Sequence, residues 1–342
     1  MVEPTTLQIV WFLLFTFLIA GYAVLDGFDL GVGILHLFAK NDEERRIGIN
    51  AIGPVWDGNE VWLVTGGGAL FAAFPIVYAT VFSGFYLALM LVLAALIARA
   101  VSMEFRGKVD GARWRRVWDL SFGIGSLLAV LLFGVAMGNI LRGIPINDKY
   151  VYVGTFLGLL NPYALLIGVL SVVMMVMHGA AYLSMKSEGE LRERMLRWVT
   201  PAWMVFVVLF FVATIATYFV APFLFEGKLG SPFFWVFLVL IAAGVAYVPV
   251  AAKAGQSGRL FGATSAIVLS TVALSGVGLF PRLVPSLLNL ENSLTIMNAS
   301  AYPATLQAML IIALIGMPLV LAYTFFVYRV FKGKVVLHED SY

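Results

Sequence analysis

Long apolar runs, broken only by glycines and short polar turns, recur along the whole chain. Runs of that length read as membrane-spanning helices, because a bilayer core of about 30 Å takes roughly 20 residues at helical rise. The pattern predicts nine spans, over 7–39, 47–74, 76–99, 118–141, 158–185, 198–223, 232–252, 259–281 and 304–328. The second and third are parted only at Phe74-Pro75, where proline closes one helix and opens the next. None of the connecting stretches is patterned like a soluble unit. Residues 1–342 therefore read as one all-α integral-membrane domain.

Composition supports this. The chain is 61% apolar and 12% charged, whereas soluble domains carry about a quarter charged residues. The net charge of +3 is less informative than its distribution. With nine alternating crossings, Arg142, Lys149, Lys228 and Arg282 fall on one side and the other eighteen of the 22 Lys and Arg on the opposite side. The positive-inside rule then puts the N-terminus outside and the C-terminus in the cytoplasm, and one span more or fewer would scramble the division. The charge is not a nucleic-acid signal. The first residues lack the basic n-region of a cleaved signal, so the first span is expected to be retained. There is no cysteine, which excludes disulfides and thiolate metal sites. Three histidines, His36, His178 and His338, are too few and too scattered for this chain alone to build a dihaem or zinc site.

Four acids fall where acids are expensive: Asp26 and Asp29 in the first span, Asp57 and Glu60 in the second. An aspartate at a helix centre costs about 2.5–3.5 kcal/mol on insertion scales, so the three aspartates oppose insertion by roughly 8–10 kcal/mol. No lysine or arginine is expected deep in a span, so these acids must face a polar interior or carry protons. Each pair is three residues apart and shares a helix face. If spans one and two form a hairpin about residues 40–46, Asp29 and Asp57 both lie roughly 16 Å from the loop, and Asp26 and Glu60 roughly 21 Å. Gly33 then matches Gly53 in depth, and His36 matches Asn50. Pro54 leaves the Asn50 carbonyl without its helical donor. Two facing stripes, 26–29–33–36 and 50–53–57–60, outline a proton or polar-ligand path opening on the cytoplasm. The bland alternative is that the acids only bond neighbouring helices; intramembrane acids are functional by default.

Other features have quieter readings. His178 reads as a packed, hydrogen-bonded residue in preference to a haem ligand, and His36 as proton mouth or interfacial anchor. Arg99, Glu104 and Arg106 read as membrane-surface anchors, with an ion-pair role near the path mouth as the alternative. Trp114 and Trp118 fit an aromatic belt. Gly66, Gly67 and Gly68 suggest close helix approach, since no P-loop lysine follows.

The stretches GYAVLDGFDLGVG (21–33) and NAIGPVWDGNEVWLVTGGGALFAAFP (50–75) closely resemble subunit II of the bacterial cytochrome bd quinol oxidases. RAVSMEFRGKVDGARWRRVWD (99–119), GVAMGNILRGIP (134–145), LLNPYALLIGVLSV (159–172) and HGAAYL (178–183) follow the same family in the same order. The resemblance implies two four-helix bundles plus one extra helix. It implies a heterodimer in the bacterial inner membrane with a larger subunit I, which holds two haem b and one haem d, oxidises quinol and reduces O2 to water. Subunit II would ligate no haem. It would supply the dimer interface and a proton route beginning at the acids matching Asp26 and Asp57, with Asp29 beside them. Trp56, Asn59 and Arg99 would be the contacts of a structural quinone, if one binds, or of the interface. A small single-span accessory subunit is a further possible partner, besides membrane lipid. Two rival readings are a stand-alone proton-coupled transporter and a structural scaffold.

Overall fold

The computed structural model describes residues 3–337, so His338 lies outside the described residues. Eleven helices follow one another: α1 (Thr6–His36), α2 (Asp42–Ile52), α3 (Trp56–Ala73), α4 (Pro75–Gly84), α5 (Tyr86–Phe105), α6 (Ala112–Arg142), α7 (Pro162–Lys186), α8 (Gly189–Val220), α9 (Pro232–Lys253), α10 (Ser257–Leu279) and α11 (Pro303–Val330). A short antiparallel pair, β1 (Arg282–Val284) and β2 (Leu294–Thr295), lies between α10 and α11. Eight helices are long and apolar enough to cross a bilayer, and α3 with α4, bent by 120°, forms a ninth candidate if counted as one span.

The largest departures from the sequence pattern fall in 47–99. The expected span 47–74 is two helices, because Pro54 has no N–H to donate and the chain turns at 53–55 before restarting at Trp56. The expected span 76–99 divides at Phe85 into α4 and α5, which extends to Phe105. The chain passes close to the Tyr152 ring at this break: a Cβ on Gly84 would stand 2.7 Å from it. α2 starts at an Asn41 cap that accepts from the Glu44 N–H, with Asp42, Glu43 and Glu44 in the first turn, where the helix dipole favours acids.

The ends of the helices sort into two layers. At one end the Ala301 N–H donates to the Ala73 carbonyl (2.8 Å), the Thr80 hydroxyl donates to the Tyr150 carbonyl (2.7 Å), and Ile144 bridges to Ser286. At the other end Lys40 pairs with Glu190, Arg194 pairs with Glu44, and the Val335 N–H donates to the Lys186 carbonyl. Between these layers α1 is the central helix. Its Gly31 touches the backbone of α7, where a Cβ would stand 2.0 Å from the Met175 carbonyl; conversely a Cβ on Gly179 would stand 2.5 Å from Gly31. Only glycines allow this separation, the small-residue packing expected where lipid gives helices no hydrophobic reason to associate. α11 packs loosely, with Leu306 as its buried residue.

The docking of α2 has a testable electrostatic basis. Burial opposes ionisation of Glu44, but hydrogen bonds from Arg194 Nη2 (2.5 Å) and the Lys40 backbone N–H (2.6 Å) outweigh it and hold the carboxyl below the usual range. A folded-state value below the unfolded one gives stability that is full above the ordinary glutamate range and lost as pH falls through the folded value. Glu44→Gln should therefore cost about 3 kcal/mol near neutral pH by leaving Arg194 unpaired. In thermal unfolding of wild type and variant, that deficit should close on acidification.

Candidate functional site

The candidate site is built where α1, α3 and α5 converge. The close approach of α5 to α6 at Gly125 sets the geometry: a Cβ there would stand 2.7 Å from the Ala95 carbonyl and 3.2 Å from the Arg99 N. From that position Arg99 is fully buried. Its Nη2 stands 3.0 Å from Asp26 Oδ1, and its Nη1 donates to Glu60 Oε1 at 2.5 Å. Its guanidinium lies 5.9 Å from the centre of the Trp56 ring. Arg99 is thus no surface anchor. A basic residue does sit deep among the spans, because its long side chain reaches two acids on other helices instead of snorkelling to water.

Asp29, also fully buried, is held from a different direction. Asn59 Nδ2 donates to Asp29 Oδ2 at 2.7 Å and to the Leu25 carbonyl at 3.3 Å, and the Tyr328 hydroxyl of α11 donates to Asn59 Oδ1 at 3.0 Å. Tyr22, one turn before Asp26, is buried beside it. Several polar atoms here lack a hydrogen-bond partner: both Asp26 oxygens, Asp29 Oδ1, Arg99 Nε and the Tyr22 hydroxyl. An unmet buried donor or acceptor costs about 1–3 kcal/mol. Buried polar groups are normally paired, so this many unpaired acceptors and donors around neighbouring acids calls for an explanation.

The facing stripes of the sequence reading are only partly present. The inward face of α3 carries Asn59, Trp62, Gly66, Leu70 and Ala73. That rotates Asp57 outward to an exposed position and leaves the Glu60 side chain at 25% exposure. Trp62 decides the rotation by packing its ring on Gly21 of α1, where a Cβ would stand 2.3 Å away. Gly66 meets Ile19, but Gly67 and Gly68 face open space, so two of the three glycines take no part in a helix contact of this chain. Gly33 does not line a groove with Gly53; it is covered by Ser126 of α6, whose Oγ would lie 2.0 Å from an added Cβ. Asn50 Nδ2 bonds back to the Arg46 carbonyl on its own helix.

His36 joins a second cluster at the end of α1. Its Nε2 lies 2.6 Å from Asp119 Oδ1, which also accepts from Arg106 Nε at 2.6 Å; Arg106 Nη2 reaches Asp42 at 2.5 Å and Arg45 Nε lies 3.6 Å from Asp119 Oδ2. Arg106, like Arg99, is buried among acids and is no surface anchor, whereas Glu104 is exposed. Trp114 and Trp118 pack edge to face on the same stretch of α6.

His178 is engaged within the chain through both ring nitrogens, Nδ1 with Thr264 Oγ1 at 2.8 Å and Nε2 with the Val24 carbonyl at 3.0 Å, and the ring stacks on Phe261. Among the described residues no three His, Cys, Asp or Glu side chains are grouped to hold a metal ion. Of the three residues suggested as quinone or interface contacts, Asn59 and Arg99 are buried and Trp56 is partly exposed.

Fold and site together define a polytopic helical membrane protein with a charged cluster between its first helices. The model of the cytochrome bd terminal oxidase subunit II family matches residues 7–331, and the chain belongs to that family. It is 37% identical to the cytochrome bd-I ubiquinol oxidase subunit 2 of Escherichia coli K12 over 99% of this chain and 98% of the relative. It is also 37% identical to the cytochrome bd ubiquinol oxidase subunit 2 of Bacillus subtilis, over 96% and 97%. The solved bd oxidase of Geobacillus thermodenitrificans superposes with a TM-score of 0.80 at 16% identity, covering 96% of this chain and 99% of that one, a likeness of fold.

Asn59 is the part of the site whose loss is simplest to read. Asn59→Leu keeps the size but leaves Asp29 Oδ2 and the Tyr328 hydroxyl without partners. It should lower the stability of the purified protein by about 1–3 kcal/mol, measured as a drop in melting temperature.

Proposed function

We propose that this chain is the haem-free partner of a haem-bearing subunit I, in a bacterial inner-membrane complex that oxidises quinol and reduces O2 to water. We propose further that it feeds that reaction with protons from the cytoplasm. Membership of the subunit II family, over nearly the whole length of its relatives, supports the oxidoreductase complex over a stand-alone transporter. In this reading the chain crosses nine times, α3 counting as the second crossing, with the N-terminus outside. The layer containing α2 and the end of α5 then collects the basic residues, as the positive-inside rule requires.

The observation that carries the proton role is the pairing of Asp26 and Glu60 with a single guanidinium, with a third acid, Asp29, one helical turn from Asp26 and held by Asn59. One cation offsets one carboxylate; the remaining acids must hold protons or exchange them, because like charges packed in low dielectric do not all stay ionised. The half-buried Tyr328, through Asn59, gives the cluster a hydrogen-bonded link toward the cytoplasmic end of α11. Glu60, partly exposed, and Asp57, fully turned outward, lie on the face of α3 that also shows Val61, Val64 and Phe71. That face serves as the interface to subunit I, and the two acids pass protons across it. His36 pairs instead with Asp119, at the end of α1. Uptake from the cytoplasm, paired with proton release outside on quinol oxidation, stores about 2.3 kcal/mol per charge per 100 mV without a pump.

In the intact complex, Asp26→Asn and Glu60→Gln should each cut oxygen uptake per haem by roughly a hundred-fold, the scale of losing a positioned proton carrier, with haem spectra unchanged. Wild-type turnover per haem in both variants would remove the proton role. A fall in complex yield and haem content together, at unchanged turnover per haem, would show a scaffold.

A further inference from the structure

Two hollows on the α5–α6 side of the chain lie outside the acid cluster. The first, of about 670 Å³, opens at the end that gathers the basic residues; Arg45, Arg115 and Arg116 line it with Asp42 and Asp119, and Leu120 stands at its edge. The second, of about 350 Å³, is an apolar groove between α5 and α6, with Ala94 and Ala98 on one wall and Ile124, Leu128 and Leu132 on the other. The two are joined along α6. Arg116, Leu120, Ile124, Leu128 and Leu132 recur every four residues and form one ridge. Sixteen residues at helical rise make that ridge about 24 Å long, the scale of a fatty-acyl chain. Leu120, Ile124 and Leu128 are all more than 40% exposed along it.

The charge in the pocket is unbalanced. Arg106 already bonds both Asp42 and Asp119 from behind. Arg45 approaches Asp119 only at 3.6 Å, and its buried Nε has no hydrogen-bond partner. Arg115 reaches Asp42 at 3.7 Å and the fully exposed Asp110 at 3.2 Å, while Arg116 makes no ion pair among the described residues. Three guanidinium groups thus share two carboxylates, and Arg116 adds a fourth cation to the pocket's lining. His36, 4% exposed, also borders the hollow, and its Nδ1 has no partner.

We propose that this polar-to-apolar groove binds an anionic glycerophospholipid. Its phosphate lies among Arg45, Arg115 and Arg116, and one acyl chain follows the α6 ridge from Leu120 to Leu132. Basic pockets between helices at a membrane surface recognise lipid phosphates by charge, and planar guanidinium groups suit them. A zwitterionic lipid would bring its own cation into a pocket already in positive excess. A free anion would fill the pocket and make no use of the groove beneath it. Neither the pocket nor the ridge contains Asp26, Asp29, Asp57 or Glu60, so the lipid site stands or falls separately from the proton route.

The test uses the intact oxidase complex, delipidated and then offered phosphatidylglycerol or phosphatidylcholine, with bound lipid counted by native mass spectrometry. The wild type should retain phosphatidylglycerol about tenfold better or more, two arginines at a lipid surface contributing on that scale. The double variant R115Q/R116Q should lose most of that preference. Leu128→Trp, which fills the groove and leaves the pocket intact, should lower retention of phosphatidylglycerol as well. Millimolar inorganic phosphate should not displace the lipid. Equal retention of the two lipids by the wild type would overturn the proposal, and that comparison decides the matter even if the double variant fails to assemble. So would displacement by phosphate with no effect of Leu128→Trp, which assigns the pocket to a soluble anion. A photo-crosslinker at position 128 that labels the other subunit instead of lipid would also overturn it.

Discussion

A positive charge with no exposed surface is the constraint on which the rest of this structure depends. Arg99 takes a guanidinium out of water, which is costly unless carboxylates lie against it. They come from two other helices, Asp26 from α1 and Glu60 from α3. The helices deliver these groups to one point because each is seated closely on a neighbour, α5 on α6 at Gly125, α1 on α7 at Gly31 and Gly179, and α3 on α1 where Trp62 covers Gly21. Small residues and buried charges are therefore parts of one arrangement: the glycines set the separations, and the ion pairs fix the rotation and depth at which each helix stops.

The all-helical membrane class and the depth of the acids follow from patterns that read directly off the chain. Apolar runs must span, and residue counts from the 40–46 loop place Asp26 and Glu60 at one level, where one arginine does join them. Rotation was not legible in the same way. A helix turned by 100° changes its partners without changing its hydropathy, and the packing of Trp62 on Gly21 turns Asp57 outward. Arg99 looked like an anchor because it stands near the end of an apolar run. It stands instead well inside α5, which runs to Phe105, six residues further than the pattern indicates. Nothing local to Tyr328 or Asp119 marks them, since each acquires its role from a partner 269 or 83 residues away.

The two polar clusters differ in character. Around Asp119 there are more cations than acids, and close ion pairs clasp the ends of α1, α5 and α6. Around Asp26 there are more acids than cations, and buried polar atoms stand without partners. Stability alone does not favour such an arrangement, because well-packed apolar residues would cost less. That excess of carboxylate is the feature on which the proposed proton role rests, and Glu60 carries it to the partly exposed face of α3.

The central claim is that Arg99 and Asp26 act as one unit, and a double-mutant cycle measures it most directly. Arg99→Met, Asp26→Asn and the double variant would be made in the intact complex, and the unfolding free energy of each compared with wild type. The account predicts that Arg99→Met alone costs about 3–5 kcal/mol. It also predicts that adding Asp26→Asn restores part of that loss, a coupling of at least about 1 kcal/mol. Strictly additive losses would mean that the two side chains do not depend on each other, and the charged centre described here would not be what holds the first helices together.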